Sequence, residues 1–377
     1  MIYKRKEAVP KPWVSRLERG FDAAGKRLYR CKSFRTQGEA KKWETRQQHE
    51  KLQTGVFAEP SQQRLAEYLT GWLNGRMKLR PRTLAGYQRL LARYVNRTDL
   101  AGEPLARLTT TRLEQHYAWL GQQGLSPRTV RLVHSILSCA LQKAARDRLI
   151  RSNPATGAEL PKQARKEMLA LDARQVGRLL AASEVTGSRW HALWYLLVTT
   201  GIRPSEALAL RWSDLSDDRV QVRGTLVREG GGWTVTEPKT EQSRRMVRVP
   251  PLAIAALRDH RRRQLEERLA TGPAYQVNDF VFAGQTGQPL DLRNIAARHF
   301  KPLLGAFYPL PDIRIYDLRH SFASNMLAAG VSPLTVAKMM GHTSAVMVLT
   351  VYGHVLEGQE EEATTKLAAR YAPAKEA

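Results

Sequence analysis

The residues best suited to chemistry lie near the end of the chain. Arg319 and His320 sit inside residues 317–322 (DLRHSF), His342 follows Gly341, and Tyr352 lies within residues 351–354 (VYGH). An arginine fork binds a phosphate or carboxylate through paired N–H bonds and stays charged at any ordinary pH. A histidine exchanges protons near neutrality, and a phenol becomes a nucleophile once its anion is favoured. Such groups need rigid support, and the apolar pattern around them supplies it. Phe322, Met326 and Leu327, then Val331, Leu334, Val336 and Met340, recur at helical spacing. They predict a helix over 317–329, a turn at Gly330, and a second helix capped by Ser332 with Pro333 at its first position. Arg319 and His320 then fall in a first helical turn, where unpaired backbone N–H groups favour an anion. His342 lies just beyond the second helix.

An earlier segment brings another arginine. Residues 192–200 (ALWYLLVTT) read as a buried helix that stops at Gly201, and Arg203, Pro204 and Glu206 open the next one. Arg203 is either an ion-pair partner of Glu206 or a clamp for an external oxyanion. With Arg319, His342 and Tyr352 in the same chain, the clamp is the better reading.

Taken together, these stretches resemble the tyrosine recombinases, the phage-integrase kind in particular, over most of the chain. The resemblance is carried by residues 200–208 (TGIRPSEAL), by 238–240 (PKT) with Ser243 and Arg245, and by 317–324 (DLRHSFAS), 340–342 (MGH) and 351–352 (VY). It implies that Arg203 and Arg319 bind the scissile phosphate and that Lys239, on a β-hairpin, protonates the leaving 5′ oxygen. His342 would donate to the phosphate or trade a proton with Tyr352, the nucleophile. The product would be a 3′-phosphotyrosine, formed and resealed with no metal, cofactor or ATP. Glu206 is expected to orient Arg203, and His320 to be a hydrogen-bonded supporting residue facing partly away from Arg319. The family usually has histidine three residues before the second arginine, and this chain has Tyr316 there. Its hydroxyl is expected to reach the phosphate or the attacking phenol. A phenol is a poor base at neutral pH, so the proton of Tyr352 falls to His342, to a water, or to the field of the cations. His354 and Tyr308 are assigned no role.

Composition agrees with a polyanionic partner. The chain has 377 residues and a formal net charge of +25, which points to nucleic acid and to more than one domain. No apolar run approaches the roughly twenty residues of a membrane span, and residues 1–6 lack a secretory segment. A cytoplasmic protein associated with the bacterial nucleoid is expected. Cys31 and Cys139 are read as reduced thiols, too few for a zinc cluster.

The expected architecture is multidomain. Residues 1–56 form a small α+β module with strands at 13–17 and 26–34, a turn at 22–25 and a helix at 39–54. Fifteen Lys or Arg stand against seven Asp or Glu over residues 1–60. The resemblance makes this an arm-type DNA-binding module, with Lys26, Arg27, Arg30 and Lys32 on phosphates. Residues 61–158 form an all-α core-binding bundle, with Arg80, Arg82, Arg128 and Arg131 on a basic rim that grips the duplex. A linker at 159–170 lets the two parts close round DNA as a C-shaped clamp. Residues 171–355 form a mainly α catalytic domain with a small antiparallel β-sheet of strands at 220–227, 232–235 and 244–249. A short strand at 279–282 follows, and Arg244 and Arg245 add phosphate contacts. Residues 356–377 form a tail suited to a neighbouring subunit. Expected partners are duplex attachment sites, three further copies in a homotetramer, a host DNA-bending protein and an excision factor. The competing readings are a monomeric topoisomerase-like nicking enzyme and a DNA-binding protein with an impaired site.

Overall fold

The computed structural model describes residues 1–5, 9–21, 27–54, 62–164, 168–237, 244–305 and 310–353, with 364, 365, 367, 368 and 371. The chain divides into two compact units, Met1–Arg165 and Lys166–Ala377. No helix among the described residues is long and apolar enough to cross a membrane.

The first unit opens with an antiparallel sheet of β1 (Ile2–Lys4), β2 (Trp13–Phe21) and β3 (Arg27–Phe34), in that order. The three-residue β1 is too short to show a period of two in the sequence. The turn expected at 22–25 lies outside the described residues. Helix α1 (Gln37–Thr54) packs on the sheet and buries Ala40, with Val14 and Leu17 buried from β2. Thr36 caps it, accepting from the Glu39 N–H at 3.2 Å while the Glu39 carboxylate takes the N–H groups of Arg35 and Thr36.

Four further helices make a bundle: α2 (Leu65–Asn74), α3 (Pro81–Tyr94), α4 (Thr110–Gln122) and α5 (Pro127–Arg146). Proline stands at the start of α3 and α5, where its fixed φ suits the helix and its missing N–H costs nothing. The stripe Val130, Val133, Ile136, Leu137, Leu141 and Ala144 of α5 is buried in one core with Leu65, Leu69, Leu113 and Leu120. Both Pro-Arg-Thr openings therefore start helices that bury a 3.6-residue stripe.

In the second unit Asp172 caps α6 (Ala173–Val185), its carboxylate accepting from the Gln175 N–H at 2.8 Å. Next come α7 (His191–Thr200) and the short α8 (Pro204–Ala207). The strands β4 (Leu215–Ser216), β5 (Arg219–Val222), β6 (Thr225–Glu229), β7 (Gly232–Thr236) and β8 (Arg245–Arg248) form two sheets, β4-β5-β8 and β6-β7. The single sheet expected from the alternation is thus split between 222 and 225. At Gly224 between them, a Cβ would lie 2.5 Å from Val235 Cγ1, so the chain crosses the hairpin more closely than a side chain allows. The strand expected at 279–282 reduces to a bridge of Phe280 with Arg211, and the Val281 N–H donates to the Leu210 carbonyl at 2.8 Å.

The rest is helical: α9 (Pro251–Thr271), α10 (Leu292–Ile295), a π-helical turn over Ala296–Phe300, α11 (Lys301–Gly305), α12 (Asp317–Ala328), α13 (Pro333–Met340) and α14 (Val346–Tyr352). Apolar all round, α7 is the central element, packed against α6, α9 and α12. Helices α12, α13 and α14 share a smaller core of Phe322, Leu327, Val336, Met340, Val348 and Tyr352. The result is a mainly α fold with small antiparallel sheets.

Candidate active site

Helix α7 ends at Gly201, in the left-handed region at φ 61°. A Cβ there would fall 2.3 Å from Phe322 Cδ1, so only glycine lets α12 lie this close. The buried Gly201 carbonyl accepts a hydrogen bond from Arg319 Nη1. Arg319 is 1% exposed, and its Nη2 donates to the Met340 carbonyl and to His342 Nε2, each at 2.7 Å. These bonds use three of its five N–H groups and leave two unspent among the described residues. Helix α13 ends at Gly341, also left-handed at φ 67°, and offers its last carbonyls to two arginines: Met340 to Arg319 and Met339 to Arg245. The negative end of a helix dipole thus seats two cations.

Arg203 occupies the N-cap of α8 with Pro204 behind it. Its Nη1 donates to Glu206 Oε1 at 2.7 Å, and its backbone N–H to Oε2 at 2.9 Å. The same carboxylate takes Arg245 Nη2 at 3.0 Å. Glu206 therefore orients Arg203, as its position one turn on suggested, but it also serves a second arginine. Side-chain exposures of 31% for Arg203 and 8% for Arg245 separate the two. Arg203 reaches the surface, whereas Arg245 is a buried brace between Glu206 and α13. Arg245 is thus not the surface phosphate contact expected of it. The signal was available: residues 245, 247 and 249 share one face of a strand, and Val247 and Val249 are core residues.

The site is over-positive. Burial, then the neighbouring Arg203, lowers Arg319 to about 10, still well above neutral pH. Burial first, then Arg319, Arg203 and Arg245, lowers His342 to about 4. Its imidazole is therefore neutral, and Nε2 accepts from Arg319. The ring proton is then on Nδ1, which is buried with no hydrogen-bond partner among the described residues. This corrects the expectation of a His342 poised near neutrality.

Tyr352 ends α14 and is 4% exposed. Its hydroxyl is hydrogen-bonded to His320 Nδ1, the rings tilted with centroids 5.7 Å apart. Burial raises the phenol, with the charge of Arg319 opposing it. Contact between His320 and Tyr352 was missed in the sequence. A trace of it was present, because His320, Ala323 and Leu327 fall on one helical stripe and the last two belong to the Tyr352 core. Tyr316, the residue standing where a histidine is usual, is 42% exposed and edge-on to His320 at 5.5 Å. Among the described residues its hydroxyl has no hydrogen bond. Asp317 is held below the ordinary carboxylate range: burial would raise it, and the Arg314 guanidinium and N–H overcome that.

Lys239 and Lys26 lie outside the described residues, as do His354, Tyr308 and most of the tail. Among the other expected DNA contacts, Arg80, Arg82 and Arg128 are exposed at the N-terminal ends of α3 and α5. Arg27 and Lys32 are exposed on β3, and Arg244 is exposed and bonded to Glu237 at 2.7 Å. Two of the set differ from expectation. Arg30 is half-buried against α1, donating to Gln47 Oε1 at 2.6 Å, and Arg131 donates to the Pro161 carbonyl at 2.9 Å. Both guanidinium groups hold the fold together locally.

Comparison with known proteins gives a consistent result. The chain is 29% identical over 364 residues to an integrase of Streptomyces ambofaciens, covering 90% of this chain and 88% of that protein. It is 27% identical over 313 residues to a tyrosine recombinase XerC-like protein of Caldanaerobacter subterraneus subsp. tengcongensis, covering 78% and 79%. Its fold is similar to that of the Tn1549 transposon integrase solved with circular intermediate DNA, with a TM-score of 0.70 at 20% identity over 81% of this chain and 99% of that one. The phage integrase family profile matches residues 170–359, which hold Arg203, Arg319, His342 and Tyr352, and the chain belongs to that family of tyrosine recombinases.

Proposed function

We propose that this chain, a site-specific DNA recombinase of the integrase type, breaks and rejoins strands through a covalent bond between Tyr352 and a 3′ phosphate. The observation that supports this best is the convergence of distant stretches on one cationic pocket. Arg319 and His342 are bonded to each other, Arg203 is braced by Glu206, and a buried phenol closes the same core. Arg203 and the two unspent N–H groups of Arg319 would hold the non-bridging oxygens, stabilising the crowded pentavalent state more than the ground state. The His342 Nδ1–H, without a partner among the described residues, is suited to donate to the same phosphate. Lys239 would protonate the departing 5′ oxygen. Bond energy stays in the phosphotyrosine, so resealing needs neither a nucleoside triphosphate nor a metal.

Exchange between two duplexes cuts four strands and so asks for four nucleophiles, which makes a homotetramer on DNA the working assembly. The module at 1–56 would bind a second set of sequences, and the bundle at 61–158 would grip the core site through Arg80, Arg82 and Arg128. A host bending protein and an excision factor would set direction. The substrate is duplex attachment DNA of a phage or other mobile element.

The test begins with a duplex selected by the protein from a random pool and nicked beside its cleavage point, so that the covalent complex is trapped. Wild type should form the adduct and, with both partner sites present, exchange strands. Tyr352→Phe should bind equally well and form none. An adduct with the Phe variant would displace Tyr352 from its role, and trapping without any strand exchange would indicate a nicking enzyme instead.

A further inference from the structure

Resting on that reading of the site, we propose that His320 is the general base of strand cleavage, its Nδ1 taking the Tyr352 phenol proton as the oxygen attacks phosphorus. The base position usual in the family, three residues before Arg319, is held here by Tyr316. The function has passed to the residue after the arginine.

Geometry separates the candidates. His320 Nδ1 is already hydrogen-bonded to the Tyr352 hydroxyl. A neutral imidazole with its proton on Nε2 presents an Nδ1 lone pair there, and the phenol can only be the donor in that pair. His342 is spent otherwise: its Nε2 accepts from Arg319, and its remaining nitrogen carries a proton. Tyr316 stands edge-on to the His320 ring, and its hydroxyl makes no hydrogen bond to Tyr352 among the described residues.

The surroundings keep His320 neutral yet able to accept a proton. The ring is 8% exposed. Burial lowers its basicity, Asp317 one turn earlier opposes that, and Arg319 and Arg314 add to the lowering. Tyr352 from α14 faces it directly, His342 beyond α13 is close enough for its own basicity to be lowered by His320, and Tyr316 borders it from the N-cap of α12. An imidazole that is neutral at working pH beside a carboxylate is suited to hold a proton for the life of the intermediate.

The step balances as follows. Tyr352 Oη forms a bond to phosphorus, the P–O5′ bond breaks, the phenol proton moves to His320 Nδ1, and the leaving 5′ oxygen takes a proton from Lys239. In resealing, the 5′ hydroxyl gives its proton back to Lys239 as its oxygen bonds to phosphorus, the bond from phosphorus to Tyr352 Oη breaks, and His320 Nδ1–H returns its proton to the departing phenolate. The same nitrogen serves in both directions.

The experiment measures single-turnover adduct formation on the nicked duplex for wild type, His320→Asn and His320→Ala, from pH 6 to 9. Asparagine keeps an acceptor where Nδ1 stands but cannot take a proton, and thermal melting checks that it folds. Wild type should level off above pH 7. His320→Asn should be slower by about a hundredfold at pH 7, the usual lower bound for a lost general base. It should then recover by about tenfold per pH unit as hydroxide replaces the base. Replacing the 5′ bridging oxygen by sulfur, a leaving group that needs no acid, should leave the His320 variants just as impaired. A readout without DNA accompanies this: ring 15N NMR should show His320 protonated at Nε2, with the Nδ1 resonance shifting in Tyr352→Phe. His320→Asn cleaving at the wild-type rate with an unchanged pH profile would overturn the base role alone. A His320 protonated at Nδ1 and indifferent to Tyr352→Phe would do the same. Absence of any adduct from wild type would overturn the recombinase chemistry itself, and the base role with it.

Discussion

Arg245 Nη2 donates to Glu206 Oε2 across 3.0 Å, while the other oxygen of that carboxylate takes Arg203 Nη1 at 2.7 Å. One buried acid thus couples an arginine that reaches the surface to an arginine that faces the end of α13. The arrangement explains how a short helix of four residues can hold Arg203 in place. It also identifies which parts of the site are sensitive to change.

Removing Arg245 leaves the Glu206 carboxylate, 3% exposed, with a buried negative charge paired only from one side. Breaking a buried pair this way costs about 3 kcal/mol or more. Arg245→Ala should therefore lower the denaturation midpoint strongly at pH 7, and Arg245→Ala with Glu206→Gln should lose less than the sum of the single changes. Burial would raise the Glu206 carboxyl, but Arg245 and Arg203 hold it below its ordinary value of 4.5. Its stabilisation is complete above 4.5 and lost as pH falls through the lower folded-state value. Urea titrations at pH 7, 5 and 3 should show an acid-sensitive component that Glu206→Gln lacks.

Gly201→Ala should be among the most damaging single-methyl changes in the chain. Its φ of 61° is costly for any residue with a Cβ, and that atom would meet the Phe322 ring at 2.3 Å. We expect a loss of about 2 kcal/mol or more from the backbone and packing together. Because the Gly201 carbonyl also holds Arg319, adduct formation should fall further than stability does. Equal binding and wild-type cleavage by a folded Gly201→Ala protein would contradict this link.

Proton titration of His342 should show a midpoint well below 6.5, near 4, in the free protein. The folded value lies below the unfolded one, so stability falls as pH drops from 6.5 toward 4. Filling the pocket with inorganic phosphate or vanadate should raise the midpoint, because the anion offsets Arg203 and Arg319. NMR of the ring protons with and without phosphate measures both values. An unshifted His342 near 6.5 in the free protein would mean that the arginines do not surround it.

Tyr316→Phe should slow cleavage by about tenfold at most, the worth of one hydrogen bond to substrate or phenol. Since Tyr316 is 42% exposed, stability should change by no more than about 0.5 kcal/mol. Tyr316→His should be tolerated, adding a second imidazole near the phenol. Single-turnover rates for the three proteins decide it, and a loss as complete as that of Tyr352→Phe would show that the Tyr316 hydroxyl carries a proton no other group can.

The sequence by itself determined what repeats along the chain or stands at an element's end. Stripes such as Val130, Val133, Ile136 and Leu137 placed the helices, and Thr36, Asp172, Ser332 and Gly201 marked where helices begin or stop. Chemistry-bearing residue types, read together with the resemblance to the tyrosine recombinases, singled out Arg203, Arg319, His342 and Tyr352. Only the tertiary structure decided which atoms these residues spend on one another. His320 and Tyr352 are 32 residues apart, Arg319 and Gly201 are 118 apart, and Arg245 and Met339 are 94 apart. Contacts at such separations depend on how α7, α12, α13 and β8 pack, which no local periodicity encodes. The same holds for protonation. Histidine and tyrosine carry ordinary values in the sequence, and the burial and the crowding of three guanidinium groups that move them exist only once the chain has folded.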